Sequence, residues 1–405
     1  MITIRPFRAW RPAPDKAHLV GSRSFVSYTD DQLREKLAGN PYSFLHVIHP
    51  DLDAPPPMDR HERFHRVRMR FKAFCDEGTL LRDEAPCIYL YEQWSRGEIS
   101  RGIITAISIA DYREGRVKVH EQTLTAREEL FAEYLEATAI NAEPVLLATP
   151  EGHAWEALLD PWLAVRPDFD FSTTDRVRHR LWAIADVRVR EDLQRAFAEI
   201  PAIYIADGHH RMASSARLAG EHGTTDVDPD AWCLAFIVPR SHLRIVNYDR
   251  AVTTLNGLDE TTFLKALQEI GPVVPLQAPW SSPGHVAVRT ESGWHQLDLT
   301  EARPEADPAG DLDAAVLSDR VLGPVLGITD LRTDPRVLFV PGTHGVGELE
   351  RSVDSGTAKA AFHLHPVSFS DLKAVSDSGG SMPPKSTYIE PKLRSGLTIY
   401  SLEDV

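Results

Sequence analysis

The segment Ala206-Asp207-Gly208-His209-His210-Arg211 sets an acid, a glycine, two histidines and an arginine between an apolar stretch, Ala202–Ala206, and a small-residue stretch, Met212–Ala219. The order reads as strand, polar turn, helix. A glycine at a strand end lets backbone approach a ligand closely. The first N–H groups of the following helix have no partner within it and point at an anion. Arg211 adds a planar fork that suits phosphate. His209 and His210 are expected to donate to phosphate oxygens or to shuttle protons near neutral pH. Asp207 is expected to hold a magnesium ion or to orient a histidine. A plain turn with solvated histidines is the competing reading. Five polar or special residues set between two apolar stretches weigh against it.

Two further segments carry candidate chemistry. Arg116–Glu121 reads as a strand, and alternation puts Val117, Val119 and Glu121 on one face. A carboxylate there would be desolvated, its pKa would rise, and it would serve as a general base. A glutamate that ends a strand in water, or caps the next helix, fits the same pattern, and the residues leave both readings open. His120 and Thr123 flank it and are expected to contact substrate or phosphate. The other segment, Ser381–Leu393, follows Gly379-Gly380 and reads as a loop. Its Lys385, Ser386, Thr387 and Lys392 suit an anion-binding rim, and a solvated surface loop is the alternative.

Other chemistries find little support. The three cysteines, Cys75, Cys87 and Cys233, are scattered and odd in number, so they form neither a disulfide framework nor a zinc cluster. His61 and His65 share a helical face, but the partners of a zincin site are missing. His344, His363 and His365 read as solvated or core histidines, because zinc needs three or four convergent ligands. Neither a P-loop nor a G-x-S-x-G elbow occurs.

The elements that must position these residues follow from periodicity. Phe64, Val67, Phe71 and Phe74 recur at helical spacing and Gly78 supplies a stop. Cys87–Trp94, Gly102–Ile109, Val145–Thr149, Arg180–Ile184 and Trp232–Val238 read as strands. Thr125 with Glu128 predicts a capping box opening a helix with Phe131 and Leu135. Glu191–Ile200 reads as a helix. The helix after the polar turn is predicted to end at Gly220 and Gly223. Further on, Phe263, Leu267 and Ile270 mark a helix stopped by Gly271. Val286–Thr290 and Trp294–Leu299 form a hairpin, and Val337–Val340, Ala360–Leu364 and Leu397–Leu402 read as strands. Asp51–Pro57 and Arg303–Pro308 read as proline-bearing loops. Strands mixed with helices and hairpins predict an α+β, or mixed α/β, fold.

The 405 residues are 42% hydrophobic and 25% charged, with a net charge of −15. That is ordinary globular usage. Without a long Lys/Arg run, nucleic acid is not an expected partner. The N-terminus lacks a signal-peptide pattern and the run at Ala231–Pro239 is too short for a membrane span, so a cytoplasmic protein without a membrane partner is expected.

In sequence order, four segments together resemble the bacterial and archaeal family called domain of unknown function 1015. They are Asn40–Val47, His120–Thr123, Ala206–Arg211, and Met382–Thr387 continuing through Pro391-Lys392-Leu393 to Gly396-Leu397. The family's Pro-Pro-Tyr-Asp-like segment near its start is replaced here by Ala17–Ser22. Ala206–Arg211 also resembles the phosphate-binding box of the ParB and sulfiredoxin superfamily, which includes kinases of free L-serine using ADP or ATP. The resemblance implies a ParB/sulfiredoxin-like core in residues 1–240, with an N-terminal elaboration, and a second α/β part in residues 241–405 that lends a lysine-rich loop to the site. It implies a phosphotransferase acting from ADP or ATP on the hydroxyl of a small amino acid, L-serine first, with Mg2+. Glu121 would take the hydroxyl proton and Asp207 would carry the metal. Gly208, His209, His210 and Arg211 would hold the transferred group, with Lys385 and Lys392 completing the cage. A phosphatase of phosphoserine or a similar ester, and a ParB-like nucleotide-binding switch, are the alternatives.

Overall fold

A computed structural model describes residues 1–25, 28–50, 58–151, 154–304 and 307–403. The loop expected at Asp51–Pro57 lies outside these residues, as does part of Arg303–Pro308. The fold is mixed α/β. The chain forms two compact units: residues 1–118, 122–243 and 391–405 in the first, and residues 119–121 and 244–390 in the second.

The first unit is built on a nine-stranded sheet. Eight strands run in the order Val117–Lys118, Ile203–Asp207, Val145–Thr149, Trp232–Pro239, Glu98–Ser108, Ile88–Ser95, Arg178–Ile184, Phe169–Ser172. Ile4–Arg5 pairs with Glu98–Ser108. Trp232–Pro239 runs parallel to Val145–Thr149 and antiparallel to Glu98–Ser108. All eight of its residues are buried, as a central strand covered on both faces requires. Ile103, Ile107, Leu147, Ile205, Ala235 and Ile237 alternate along their strands into one core. Leu193 and Phe197 of the helix Val187–Ala198, and Met212, Ala216 and Ala219 of the helix His209–His222, pack onto it. A second cluster gathers Val67 and Phe74 of the helix Arg60–Asp76 with Phe44, Val47 and Ile399.

Two segments that resemble the family motifs meet in this second cluster. Gly396 has φ +84°, and a Cβ there would lie 2.5 Å from Cγ of Phe44. Only glycine satisfies both the left-handed backbone and the close approach. The divergent segment Ala17–Ser22 joins the same corner. Ser22 and Ser395 exchange backbone hydrogen bonds at 2.9 and 3.1 Å, and Ser22 Oγ lies 3.0 Å from Ser43 Oγ.

The second unit contains a six-stranded antiparallel sheet, ordered Val273–Leu276, Gly293–Asp298, His285–Thr290, Ala360–His363, Tyr248–Val252, Val337–Pro341. Alternation divides its side chains between two layers. Val286, Val288 and Phe362 meet the helix Glu260–Gln268 through Phe263 and Leu267, while Ala287, Ala361 and Trp294 meet the helix Val346–Asp354 through Leu349 and Val353.

Several boundaries differ from expectation for local reasons. The strand expected over Arg116–Glu121 stops at Lys118, because only Val117 and Lys118 find partners, Ile203 and Tyr204. The next residues belong to the second unit, where the carbonyl of His120 accepts the N–H of Met382 at 2.8 Å. Alternation therefore fails beyond Lys118. His120 is fully buried and Glu121 is exposed, the reverse of the expected pattern. No capping box opens the helix Thr125–Thr138. Leu124 is its N-cap, and Thr123 Oγ1 donates to Glu128 instead. The helix after the polar turn begins at His209, three residues earlier than expected, and runs through Gly220 to end at Gly223. Of Leu397–Leu402, only Tyr400–Ser401 is a strand.

Candidate functional site

Asp207 ends its strand just after a register shift between Ile205 and Asp207, where it still pairs with Leu146 of the antiparallel neighbour. Gly208 follows with φ +99° and ψ +29°. This left-handed residue turns the chain directly into the helix, whose first backbone bond is Met212 N–H to Gly208 O at 3.1 Å. The N–H groups of His209, His210 and Arg211 thus form its first turn, where the partial positive charge of the helix concentrates. A Cβ at position 208 would lie 2.7 Å from Nε and Nη2 of Arg211. The turn needs glycine twice, for its dihedrals and for the guanidinium folded back over it. Ser214 Oγ and Ser215 Oγ bond the carbonyls of His210 and Arg211 at 2.6 and 3.0 Å, bracing that turn.

Arg211 sits between two carboxylates. Its Nη2 donates to Asp207 Oδ2 at 2.9 Å, and its Nη1 pairs with Glu143. On the far side of Asp207, Lys392 Nζ lies 3.5 Å from Oδ1. Ser395 Oγ donates to the second oxygen of Glu143 at 3.3 Å. The result is a row of alternating charge, Glu143, Arg211, Asp207, Lys392, with each side chain 22–43% exposed. Burial draws the Arg211 guanidinium down to about 10, which leaves it cationic at neutral pH, and the Cys233 thiol acts in the opposite direction.

The histidines differ from expectation. His209 is buried, and desolvation, followed by the nearby His210, draws its pKa to about 3. It is a neutral ring at physiological pH and cannot shuttle protons there. His210 is half-buried and its pKa is also lowered, first by burial and then by Arg127. Both act here as neutral groups, because the helix that presents them is packed against the sheet.

A magnesium site on Asp207 fits this arrangement poorly. Both of its oxygens face cations, and no group of three His, Cys, Asp or Glu side chains that could hold a metal ion occurs among the described residues. Asp207 is placed as a partner of Arg211 and Lys392 rather than as an open ligand.

The structure brings Asp207, Gly208, His209, His210, Arg211 and Lys392 together within the first unit, with Thr123 half-buried in the same unit. His120 and Glu121 belong to the second unit, as do Lys385, Ser386 and Thr387. Lys385 has φ +57° and its ammonium lies 5.4 Å from the ring centre of Tyr248. Ser386 is buried and donates to Pro383 O at 2.7 Å, so its hydroxyl is spent within its own turn. Glu143 and Ser395 are the residues that sequence reasoning missed. The available signal for Glu143 was a single acid, followed by Pro144, directly before the apolar strand Val145–Thr149. Cavities of about 470 and 510 Å³ open elsewhere. Arg303, Asp313 and His365 line one, and His18, Arg166 and Asp168 line the other.

The architecture and the polar turn define a mixed α/β protein with a strand–glycine–helix turn. The chain belongs to the family described as protein of unknown function DUF1015, whose profile matches residues 4–315. No curated protein matches it. Among solved structures it is similar to SbnI with a C-terminal truncation from Staphylococcus aureus, at 12% identity and a TM-score of 0.41, over 74% of this chain and 87% of that one. It is also similar to a free serine kinase variant in complex with ADP, at 13% identity and a TM-score of 0.39, over 73% and 92% of the two chains. A conserved hypothetical protein from Pyrococcus furiosus matches at 16% identity and a TM-score of 0.37, over 74% and 96%. Among the described residues, no helix is long and apolar enough to cross a membrane.

Proposed function

We propose that this protein is a phosphotransferase that moves a phosphoryl group from ADP or ATP to the hydroxyl of a small amino acid, L-serine first. The observation that carries this reading is the pair of cations, Arg211 and Lys392, gathered on Asp207 at the mouth of a glycine-led helix N-terminus. Phosphoryl transfer needs little covalent help from a protein. It needs the reacting oxygens placed in line and the charge on the equatorial oxygens neutralised. Backbone N–H groups of the first helical turn, a guanidinium and an ammonium supply that neutralisation. His209 and His210, held neutral, add hydrogen-bond donors. The ParB/sulfiredoxin-like character of the box rests on its sequence resemblance, as does the role of Glu121. In this reading the Glu121 carboxylate accepts the serine hydroxyl proton while the serine oxygen bonds to phosphorus. The bridging P–O bond breaks, and AMP or ADP leaves with the electron pair.

The test is incubation of the purified chain with L-serine and either ADP or ATP, followed by mass spectrometry for phosphoserine. Phosphoserine formed from one of the two nucleotides is the expected result. Hydrolysis of phosphoserine without transfer from any nucleotide would replace the kinase with a phosphatase using the same box. Nucleotide binding with neither reaction would leave a binding switch.

A further inference from the structure

The row Glu143, Arg211, Asp207, Lys392 contains two anions and two cations, each facing the opposite sign. It is electrically balanced by its own side chains. A phosphate that approached Arg211 and Lys392 as they stand would meet carboxylates already engaged with both. Like charges brought that close repel strongly in a partly buried site. Phosphate binding is therefore costly unless the carboxylates find new partners.

We propose that this row is an ion-exchange site, resting on the phosphate-transfer reading above. A phosphate takes Arg211 and Lys392, and a cationic group takes the released carboxylates of Glu143 and Asp207 in the same event. The cation is an organic ammonium, such as the α-ammonium of an amino acid. Three details support exchange over a permanent ion-pair lock. All four side chains retain solvent exposure, so the row can be entered from water. The Nε of Arg211 is buried with no hydrogen-bond partner among the described residues, so the present pairing leaves the fork incompletely used. The contact between Lys392 and Asp207, at 3.5 Å, is long for a charge-assisted hydrogen bond and is easily given up.

Exchange makes the two ligands cooperative, and the coupling must be reciprocal. The full chain is titrated calorimetrically with inorganic phosphate and with ADP, each alone, with Mg2+, and with L-serine. L-serine is expected to raise phosphate or ADP affinity by about 5–150-fold, the usual range of such coupling. Enhancement by Mg2+ with none by L-serine would overturn the ammonium as the exchanged group. Glu143→Gln carries a prediction of unusual sign. It frees Arg211 from one carboxylate, so affinity for phosphate alone should rise while the enhancement by cation shrinks. If Glu143 merely supports the fold, the variant binds phosphate more weakly, and the exchange is overturned. Equal phosphate affinity with and without every cation in the wild-type chain overturns it without any variant. Absence of phosphate and ADP binding under all conditions overturns the phosphate-transfer reading itself, and the exchange with it.

Discussion

Arg211 and Glu121 divide the labour of the proposed reaction, and substitution separates their roles. Arg211 would contact phosphate in both ground and transition states, so Arg211→Ala is expected to weaken nucleotide binding as well as turnover, by about 1.5–3 kcal/mol for a lost charge-assisted contact. In that reading Glu121 would act only when the hydroxyl proton moves. Glu121→Gln is expected to leave nucleotide affinity and thermal stability near wild type and to lower kcat by roughly 10²–10⁴. Isothermal titration with ADP and single-turnover phosphoserine formation read the two effects independently. Full turnover in Glu121→Gln would remove it as the base. Its exposure makes a purely structural contribution small, so a large rate loss could not be dismissed as unfolding.

The turn between the strand Ile203–Asp207 and the helix His209–His222 depends on Gly208. A residue with a Cβ there is strained by φ +99° and driven into the guanidinium of Arg211. Gly208→Ala is expected to destabilise the fold by about 1–3 kcal/mol, the cost of a non-glycine residue in such backbone. It should also displace Arg211 from Asp207. Urea unfolding measures the first effect and ADP affinity the second. Unchanged values of both would show that the turn tolerates a side chain and that Arg211 is not held by it. At this scale much was legible. Val145–Thr149 was read with its observed bounds, and Trp232–Val238 within one residue. The strand toward Glu121 was misread because alternation is a local signal. What ended it was the passage of residues 119–121 into the second unit, although the neighbouring strand runs on to Asp207, a fact that no local alternation encodes.

Two buried histidines tie the whole molecule to pH. His179 and His209 are each drawn to about 3, mainly by desolvation. Their folded values lie below the ordinary value near 6.5, so the folded state holds both rings neutral while the unfolded chain takes up protons. The stability they allow is complete above about pH 6.5 and is lost as pH falls toward 3, at up to about 1.4 kcal/mol per pH unit for each ring. His179 Nδ1 shares a hydrogen bond with Tyr91 Oη at 2.7 Å, so His179→Gln keeps a polar partner. Denaturant unfolding across pH 4–7 should show a shallower acid dependence in that variant, and an unchanged slope would mean that His179 protonates without cost. The net charge of −15 gives a further prediction. At physiological salt the chain is not expected to retard duplex DNA in a gel, because the phosphate footprint that drives such binding needs a clustered basic face. A salt-dependent shift would favour a ParB-like role over phosphate transfer to a small molecule.

The sequence by itself determined the chemistry on offer at Asp207–Arg211, the strand and helix that flank it, and the family to which the chain belongs. These are local properties: apolar runs, a glycine at a strand end, and motifs readable in order. Tertiary structure alone decided what those side chains face. Glu143 and Ser395 lie 68 and 184 residues from Arg211 along the chain, yet one pairs with its guanidinium and the other with Glu143. Burial of His209, and the exposure of Glu121 beside a buried His120, likewise depend on what other segments cover. Charge state and desolvation are set by neighbours in space, and no periodicity along the chain encodes them.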